Sequence, residues 1–230
     1  VDVGAVIAAN AGSIGRGGQI VIWSDGLTEY AGMATAEGIT GGGFIEVSGK
    51  DQLRFRGGAS TTSLFGGTGT LLLDPTDVRV AAAADATATV TVEALVGAAS
   101  GVNGQAGTAT FAAPSAAGGL IHANNVIIHT TGTGGSGDIT IGTAGGNRDD
   151  IHYTSENSLT FLAHGKINVN SNVLNHQDNS GTSTGHINLV AGWDGTLPAG
   201  GTGAAPTDSS TNLSFAEVSA LGWGAADGDV

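Results

Sequence analysis

The sequence has no cysteine, only four prolines and an unusually small share of charged residues, 12%. The absence of cysteine excludes disulfides and thiolate metal sites. Soluble domains carry about 25% charged residues, so this chain has few charges to keep it in solution. We therefore expect repetitive packing to hide its backbone and its apolar atoms.

Basic residues are also scarce, because seven Lys and Arg stand against 20 Asp and Glu and give a net charge of −13. This charge would repel a phosphate backbone, and the sequence has no basic stripe to overcome it, so nucleic acid is an unsuitable partner. No apolar run reaches the roughly 18 residues that span a bilayer. The first ten residues, VDVGAVIAAN, lack a positive region, so we expect no intact signal peptide.

Glycine, by contrast, is abundant, with 41 residues in a chain of 230. Three stretches place glycines before a short apolar run, namely GGQIVIWSDG (17–26), GGGFIEVSGK (41–50) and GGTGTLLLDP (66–75). Aligning Gly17, Gly42 and Gly67 gives a period of 25 residues. Repeats of about 20–50 residues are typical of solenoids, and strand-sized apolar runs indicate a β-solenoid.

The alternation within each run predicts the core, because successive side chains of a strand point to opposite faces. The alignment places Ile22, Val47 and Leu72 in one column of stacked side chains. We expect five residues of these runs to be structural core residues: Ile20, Ile22, Ile45, Val47 and Leu72.

The aligned glycines are expected to form the corners of the solenoid. A coiled β-chain turns sharply at each corner, where the backbone often adopts a positive φ that glycine reaches without steric cost. Gly17, Gly42 and Gly67 are the predicted corner residues. We expect coils of roughly 20–28 residues.

The pattern divides the chain into four parts. Strand-like alternation resumes after residue 124, and Gly/Pro-rich or irregular sequence separates and follows the regular parts. The predicted parts are regular β-helix coils over 1–80, an irregular insertion with a short helix over 81–123, further coils over 124–195, and a Gly/Pro-rich loop with a short helix over 196–230.

Several of these stretches resemble one family of large secreted proteins. GGQIVIWSDG, GGGFIEVSGK, GTLLLDPTDV (69–78) and GHINLVAGWDG (185–195) are similar to segments of the filamentous-haemagglutinin-type exoproteins of Gram-negative bacteria. The resemblance implies an all-β fold, a right-handed parallel β-helix. It also implies export by two-partner secretion through an outer-membrane transporter, and a place at the cell surface or outside the cell.

The resemblance further implies a role in adhesion, aggregation or biofilm formation, with glycans or proteins of host or neighbouring cells as partners. The sequence shows neither the secretion domain of that family nor an evident cap, so we expect an internal segment of a longer protein or a processed unit. Open solenoid ends invite strand pairing. An end-to-end filament subunit is therefore one alternative function.

A polysaccharide-degrading β-helix enzyme is the other alternative. Its best candidate cluster is Arg148, Asp149, Asp150 and His152, since carboxylates beside a basic residue can serve acid–base cleavage of sugars. A solvated charged turn explains the same residues. We expect no catalytic residue, and the chain is interpreted as a non-enzymatic protein.

The remaining candidates are binding residues. Trp23, Trp193 and Trp223 are candidate contacts for sugars or proteins, because an aromatic ring offers a large apolar face with a polar handle; packing against a corner explains them equally well. Asp74 and Asp77 suit either a calcium corner or turns that end a coil. We expect no metal and no cofactor.

Overall fold

A computed structural model describes residues 1–82, 85–97, 119–132, 134–142, 150–175 and 185–193. Over these residues every pair of hydrogen-bonded strands is parallel, and the stacked coils form a β-solenoid of about six turns with two short helices. This confirms the predicted β-helix. Neither helix is long and apolar enough to cross a membrane.

The elements follow one another in repeated order. The strands are β1 (Val6–Ala8), β2 (Gln19–Ser24), β3 (Leu27–Tyr30), β4 (Met33–Thr35), β5 (Phe44–Gly49), β6 (Gln52–Phe55), β7 (Gly58–Ser60), β8 (Thr70–Pro75), β9 (Val78–Ala81), β10 (Val90–Thr91), β11 (Asn125–His129), β12 (Ile139–Ile141), β13 (Ile151–Tyr153), β14 (Leu159–Ala163), β15 (Ile167–Val169), β16 (Val173–Asn175) and β17 (Ile187–Ala191). The helices are α1 (Val92–Val96) and α2 (Leu120–Ala123).

The solenoid has three faces. The first sheet has the order β2-β5-β8-β11-β14-β17, and the second has the order β3-β6-β10-β9-β12-β15. The third face begins as β1-β4-β7 and continues as the pair β13-β16. Each of the first two coils therefore holds three strands, whereas the sequence shows only two strand-like runs in each repeat. The additional strand, β1 or β4, is only three residues long and is therefore not recognisable in the sequence.

Inward-facing side chains of the first sheet form the core. Ile20, Ile45 and Val47 are buried, and Ile22 is half-buried because it lies on the first strand of the stack. Ile20 lies beside Ile45, and Ile45 lies beside Leu71. Apolar side chains thus stack from coil to coil along the axis.

The predicted column is wrong at Leu72. Gln19 lies beside Phe44 and Phe44 beside Thr70, so the period is 25 residues once and then 26. A shift of one residue exchanges the two faces of a strand. Leu73 therefore lies beside Val47, whereas Leu72 lies beside Glu46 and is buried on the outer face.

Gly17 and Gly42 are required for a different reason from the predicted one, and Gly67 is not required. The glycines with positive φ among the described residues do not include Gly17, Gly42 or Gly67. A Cβ at Gly17 would collide with the main chain of Ala36, and one at Gly42 with the main chain of Thr61 and Gly69. A Cβ at Gly67 would meet open space. Close approach between coils, rather than φ, selects glycine at the first two corners.

The insertion interrupts two of the three faces. Strand β10 pairs with β9 on one side and with β6 on the other, so it adds an extra strand to the second sheet. On the third face α2 follows β7, and Thr61 N donates to Ala123 O (3.1 Å). The Asn124 amide joins the two elements, since it donates to Ala59 O (2.9 Å) and to Leu120 O (2.7 Å).

A partly exposed ion pair holds the loop that leads into β10. Arg79 Nε donates to Asp85 Oδ2 (2.8 Å), and Arg79 Nη2 lies 2.8 Å from the same oxygen. Asp85 Oδ1 accepts hydrogen bonds from the Thr87 hydroxyl (2.7 Å) and from Thr87 N (2.8 Å). The Thr87 hydroxyl and amide and the Arg79 guanidinium lower the pKa of Asp85 to about 2.

This lowered pKa predicts an acid-dependent contribution to stability. Because the folded-state pKa lies below the unfolded one, the contribution is complete above the unfolded value and is lost as the pH falls towards 2. We expect Asp85→Asn to flatten the fall in unfolding free energy between pH 4 and pH 2, measured by urea denaturation at each pH. The control is Asp51→Asn, which removes an exposed carboxylate from the same face. Equal slopes for the two variants would contradict the assignment.

Candidate functional site

Outward-facing side chains of the first sheet form two columns that run along the solenoid axis. The first column is Val21, Glu46, Leu72, Ile127, Thr160 and Asn188. The second column is Trp23, Ser48, Asp74, His129, Leu162 and Val190. Both columns are exposed at β2 and largely buried from β8 to β17.

The exposed part of these columns is the candidate site. Trp23 is 56% exposed, and Val21 on the same face is also exposed. The half-buried carboxylate of Glu46 lies on the next strand beside Val21, and Ser48 Oγ donates to Glu46 Oε1 (2.8 Å). We call Val21, Trp23 and Glu46 the Trp23 surface.

The chemistry of the Trp23 surface suits a sugar or a polar peptide. An indole ring offers a flat apolar area and one N–H donor, while an ionised carboxylate accepts strong hydrogen bonds from hydroxyls or amides. The Ser48 hydrogen bond restricts the Glu46 carboxylate, so less conformational entropy is lost when a ligand binds.

Trp193 is not a surface residue, so its burial favours packing, the other explanation that the sequence offers for the tryptophans. It is only 2% exposed and packs with Leu72, Ile127, Leu162 and Val190. The second outward column is apolar at this end, where Leu162 lies beside Val190, and the ring that follows β17 packs against it. Trp223 lies outside the described residues.

Asp74 contacts a histidine of the next coil. Asp74 Oδ1 lies 3.1 Å from His129 Nδ1, and the His129 ring is buried. The two atoms are close enough for an ion pair when the imidazole is protonated, but the angles are not those of a hydrogen bond. Asp74 separates Ser48 from His129 in the second column, so these three residues do not have the Ser–His–Asp order in which the histidine activates the serine.

Other aspartates connect neighbouring coils. Asp77 Oδ1 accepts a hydrogen bond from Asp138 N (3.0 Å), and Asp138 Oδ1 accepts one from Lys166 N (2.8 Å). Asp150 binds Asn172 through both carboxylate oxygens (2.9 and 3.2 Å). These carboxylates therefore satisfy main-chain or amide donors of the following coil.

The rest of the predicted enzyme cluster is only partly described. His152 is buried in β13, whereas Arg148 and Asp149 lie outside the described residues. Within the described ranges, no group of three His, Asp or Glu side chains is arranged to hold a metal ion.

The insertion creates a cavity of about 630 Å³ between β7 and the two helices. Arg56, Glu93 and His122 line it together with apolar side chains. The Arg56 guanidinium donates to the carbonyls of Phe55 (3.0 Å) and Ala88 (2.8 Å), and burial lowers the pKa of His122. The arginine is thus engaged by the main chain, so the described residues that line the cavity offer no free strong cation to a ligand.

A more polar groove of about 550 Å³ crosses the second sheet. Arg54 and Arg79 line it, and each is paired with a carboxylate, that of Glu29 (3.0 Å) or of Asp85 (2.8 Å). Asp77 and Asp138, which connect coils, also line it. Most of the charged groups that line the groove therefore already make ion pairs or hydrogen bonds within the fold.

No protein-family model matches this sequence, and neither a curated protein nor a solved structure is significantly similar to it.

Proposed function

We propose that this chain is a non-enzymatic β-helical segment of a secreted surface adhesin of the filamentous-haemagglutinin type. It acts outside the cell, where it holds a binding surface away from the cell on a stiff support. Its partners are glycans or proteins of host or neighbouring cells, and its contacts promote adhesion, aggregation or biofilm formation.

The exposed Trp23 surface on a continuous parallel stack is the observation that supports this role. Strand β2, which carries Trp23, pairs with β5 over its whole length, so local opening would break several hydrogen bonds at once. A large aromatic side chain on such a rigid element loses little conformational entropy when it binds a partner.

Composition and charge support the location. A chain without cysteine crosses an oxidising compartment without forming wrong disulfides, which suits export of an unfolded precursor through an outer-membrane transporter. The net charge of −13 favours solubility outside the cell and opposes binding to nucleic acid.

Trp23→Ala tests the adhesive role. Loss of a central aromatic contact costs about 2 kcal/mol or more in an interface, so we expect the variant to bind at least tenfold more weakly. The measurement is binding of the purified chain to immobilised glycans and to intact epithelial and bacterial cells.

Phe65→Ala is the matched control, because Phe65 is an aromatic residue 82% exposed on the loop between β7 and β8, outside the Trp23 surface. This variant should bind like the unmodified chain. Failure of the unmodified chain to bind any of these surfaces, or equal losses in the two variants, would overturn the proposal.

A further inference from the structure

The second sheet is split where the insertion enters it. Strand β10 lies between β6 and β9, but it is only two residues long, Val90 and Thr91. The strands on its two sides therefore stand two strand spacings apart, about 10 Å. Ahead of Val90, no strand in the described part of the chain fills this space. The polar groove of about 550 Å³ lies here, with β6 on one side and β9 on the other.

The chain bends away from both strands just before β10. Thr89 still continues the ladder, since Phe55 N donates to Thr89 O (2.8 Å) and Thr89 N donates to Arg79 O (2.8 Å). Two residues earlier the ladder stops, because Thr87 N donates to the Asp85 carboxylate (2.8 Å) and not to a strand. The main chains of β6 and β9 at this level therefore face the groove.

Three main-chain groups point into the groove. Gln52 N donates towards β3 (3.3 Å) and Val78 N donates towards β12 (2.9 Å). The carbonyl of a trans peptide points away from its N–H, so Asp51 O and Asp77 O are directed at the groove from its two sides. Leu53 N is directed at it as well, because alternate residues of a parallel strand bond to opposite neighbours. No described residue makes a hydrogen bond with any of these three groups.

The charges around the groove favour an uncharged ligand. The guanidinium groups of Arg54 and Arg79 are paired with carboxylates of the fold. Asp51, Asp77 and Asp138 line the groove, and no described cation pairs with them. Three carboxylates repel a sulfated, phosphorylated or carboxylated ligand.

The polar atoms suit the hydroxyl groups of a sugar. A hydroxyl both donates and accepts hydrogen bonds, and the groove offers a main-chain N–H beside carbonyl and carboxylate oxygens. Asp77 and Asp138 each hold one carboxylate oxygen against a main-chain N–H (3.0 and 2.8 Å). Their side chains are therefore fixed before a ligand arrives, which reduces the entropy lost on binding.

The size and the closed ends of the groove suit a short ligand. A volume of about 550 Å³ lies within the range of small-molecule pockets. The Thr76 hydroxyl donates to Lys50 O, so the two coils are in direct contact at one end of the gap. Strand β10 closes the other end. A long chain could not pass along the strands here.

We infer that the groove between β6 and β9 binds an uncharged sugar unit. Leu53 N donates to a sugar hydroxyl, and Asp51 O and Asp77 O accept hydrogen bonds from others. The site lies on the second sheet, whereas the Trp23 surface lies on the first. It is a second binding site that does not depend on Trp23.

Nuclear magnetic resonance with three uncharged disaccharides, lactose, cellobiose and N,N′-diacetylchitobiose, tests this site. We expect at least one of them to bind with a Kd of about 1 mM or tighter and to shift the Leu53 amide signal as its concentration rises. Ala86 is exposed at the rim of the groove, so Ala86→Phe should block the groove and weaken binding at least tenfold. The matched control is Ala8→Phe, which adds the same ring at an exposed position of β1 on the third face and should bind like the unmodified chain.

Each other outcome contradicts a stated part of the inference. An unchanged Leu53 signal with all three disaccharides, at about tenfold above that Kd, would overturn it. Binding of glucosamine or glucuronate instead would overturn the assignment of an uncharged ligand, and equal losses in the two phenylalanine variants would overturn the location. Trp23→Ala should leave the Leu53 shift unchanged, so this test fails or succeeds separately from the adhesive role of the Trp23 surface.

Discussion

Ile45→Asp is expected to unfold the stack. Ile45 is fully buried between Ile20 and Leu71 on the neighbouring coils. The substitution removes an apolar side chain from a packed column and places a carboxylate where no described side chain can pair with it. We expect a loss of more than about 5 kcal/mol, which is comparable with the whole stability of a typical domain.

Val21→Asp is the matched control, because Val21 lies on the preceding coil but points outward and is half exposed. Its effect should stay within about 1 kcal/mol. Circular dichroism and urea denaturation measure both variants. Cooperative unfolding of Ile45→Asp near the denaturant midpoint of the unmodified chain would show that the inward column is assigned wrongly.

Gly42→Ala is expected to have the second largest effect. The added Cβ would collide with main-chain atoms of Thr61 and Gly69, which cannot move aside as a flexible side chain can. Gly42 N also donates to Gly67 O (2.9 Å), so a shift of this corner strains the junction between two coils. We expect a loss of about 3 kcal/mol, near the upper end of ordinary overpacking costs.

Gly67→Ala provides the control for that substitution. A Cβ at Gly67 meets open space, and its φ is not in the left-handed region. The variant should keep its stability within about 0.5 kcal/mol, or gain slightly because the unfolded chain becomes less flexible. Thermal unfolding of the two variants measures both changes in stability. Equal destabilisation would contradict the explanation that close approach between coils requires glycine at Gly42.

The difference between Gly42 and Gly67 shows that the sequence repeat alone does not predict the register of the coils. Both glycines stand in the same place in a 25-residue alignment, yet the third coil is one residue longer. Sequence periodicity is insensitive to a single inserted residue, whereas strand pairing is not, because one residue exchanges inward and outward side chains. Leu72 is misplaced for the same reason.

The tryptophans show that the sequence also does not predict which residues of the candidate site are exposed. Trp23 lies in β2 and Trp193 follows β17, and the sequence around each is apolar, but one ring is exposed and the other is buried. Exposure depends on what covers the outer face of the sheet at each coil, which is a long-range property. Glu46 likewise joins the Trp23 surface only because parallel pairing places it beside Val21.

The sequence by itself determined the class of fold. Recurring glycines and alternating apolar runs specify short stacked strands. The small share of charged residues favours a repetitive core that hides backbone and apolar atoms. Tertiary structure decided the register, the reason for each corner glycine and the exposed part of the outer face. These depend on contacts between residues 25 or more positions apart, and local patterns carry little information about such contacts.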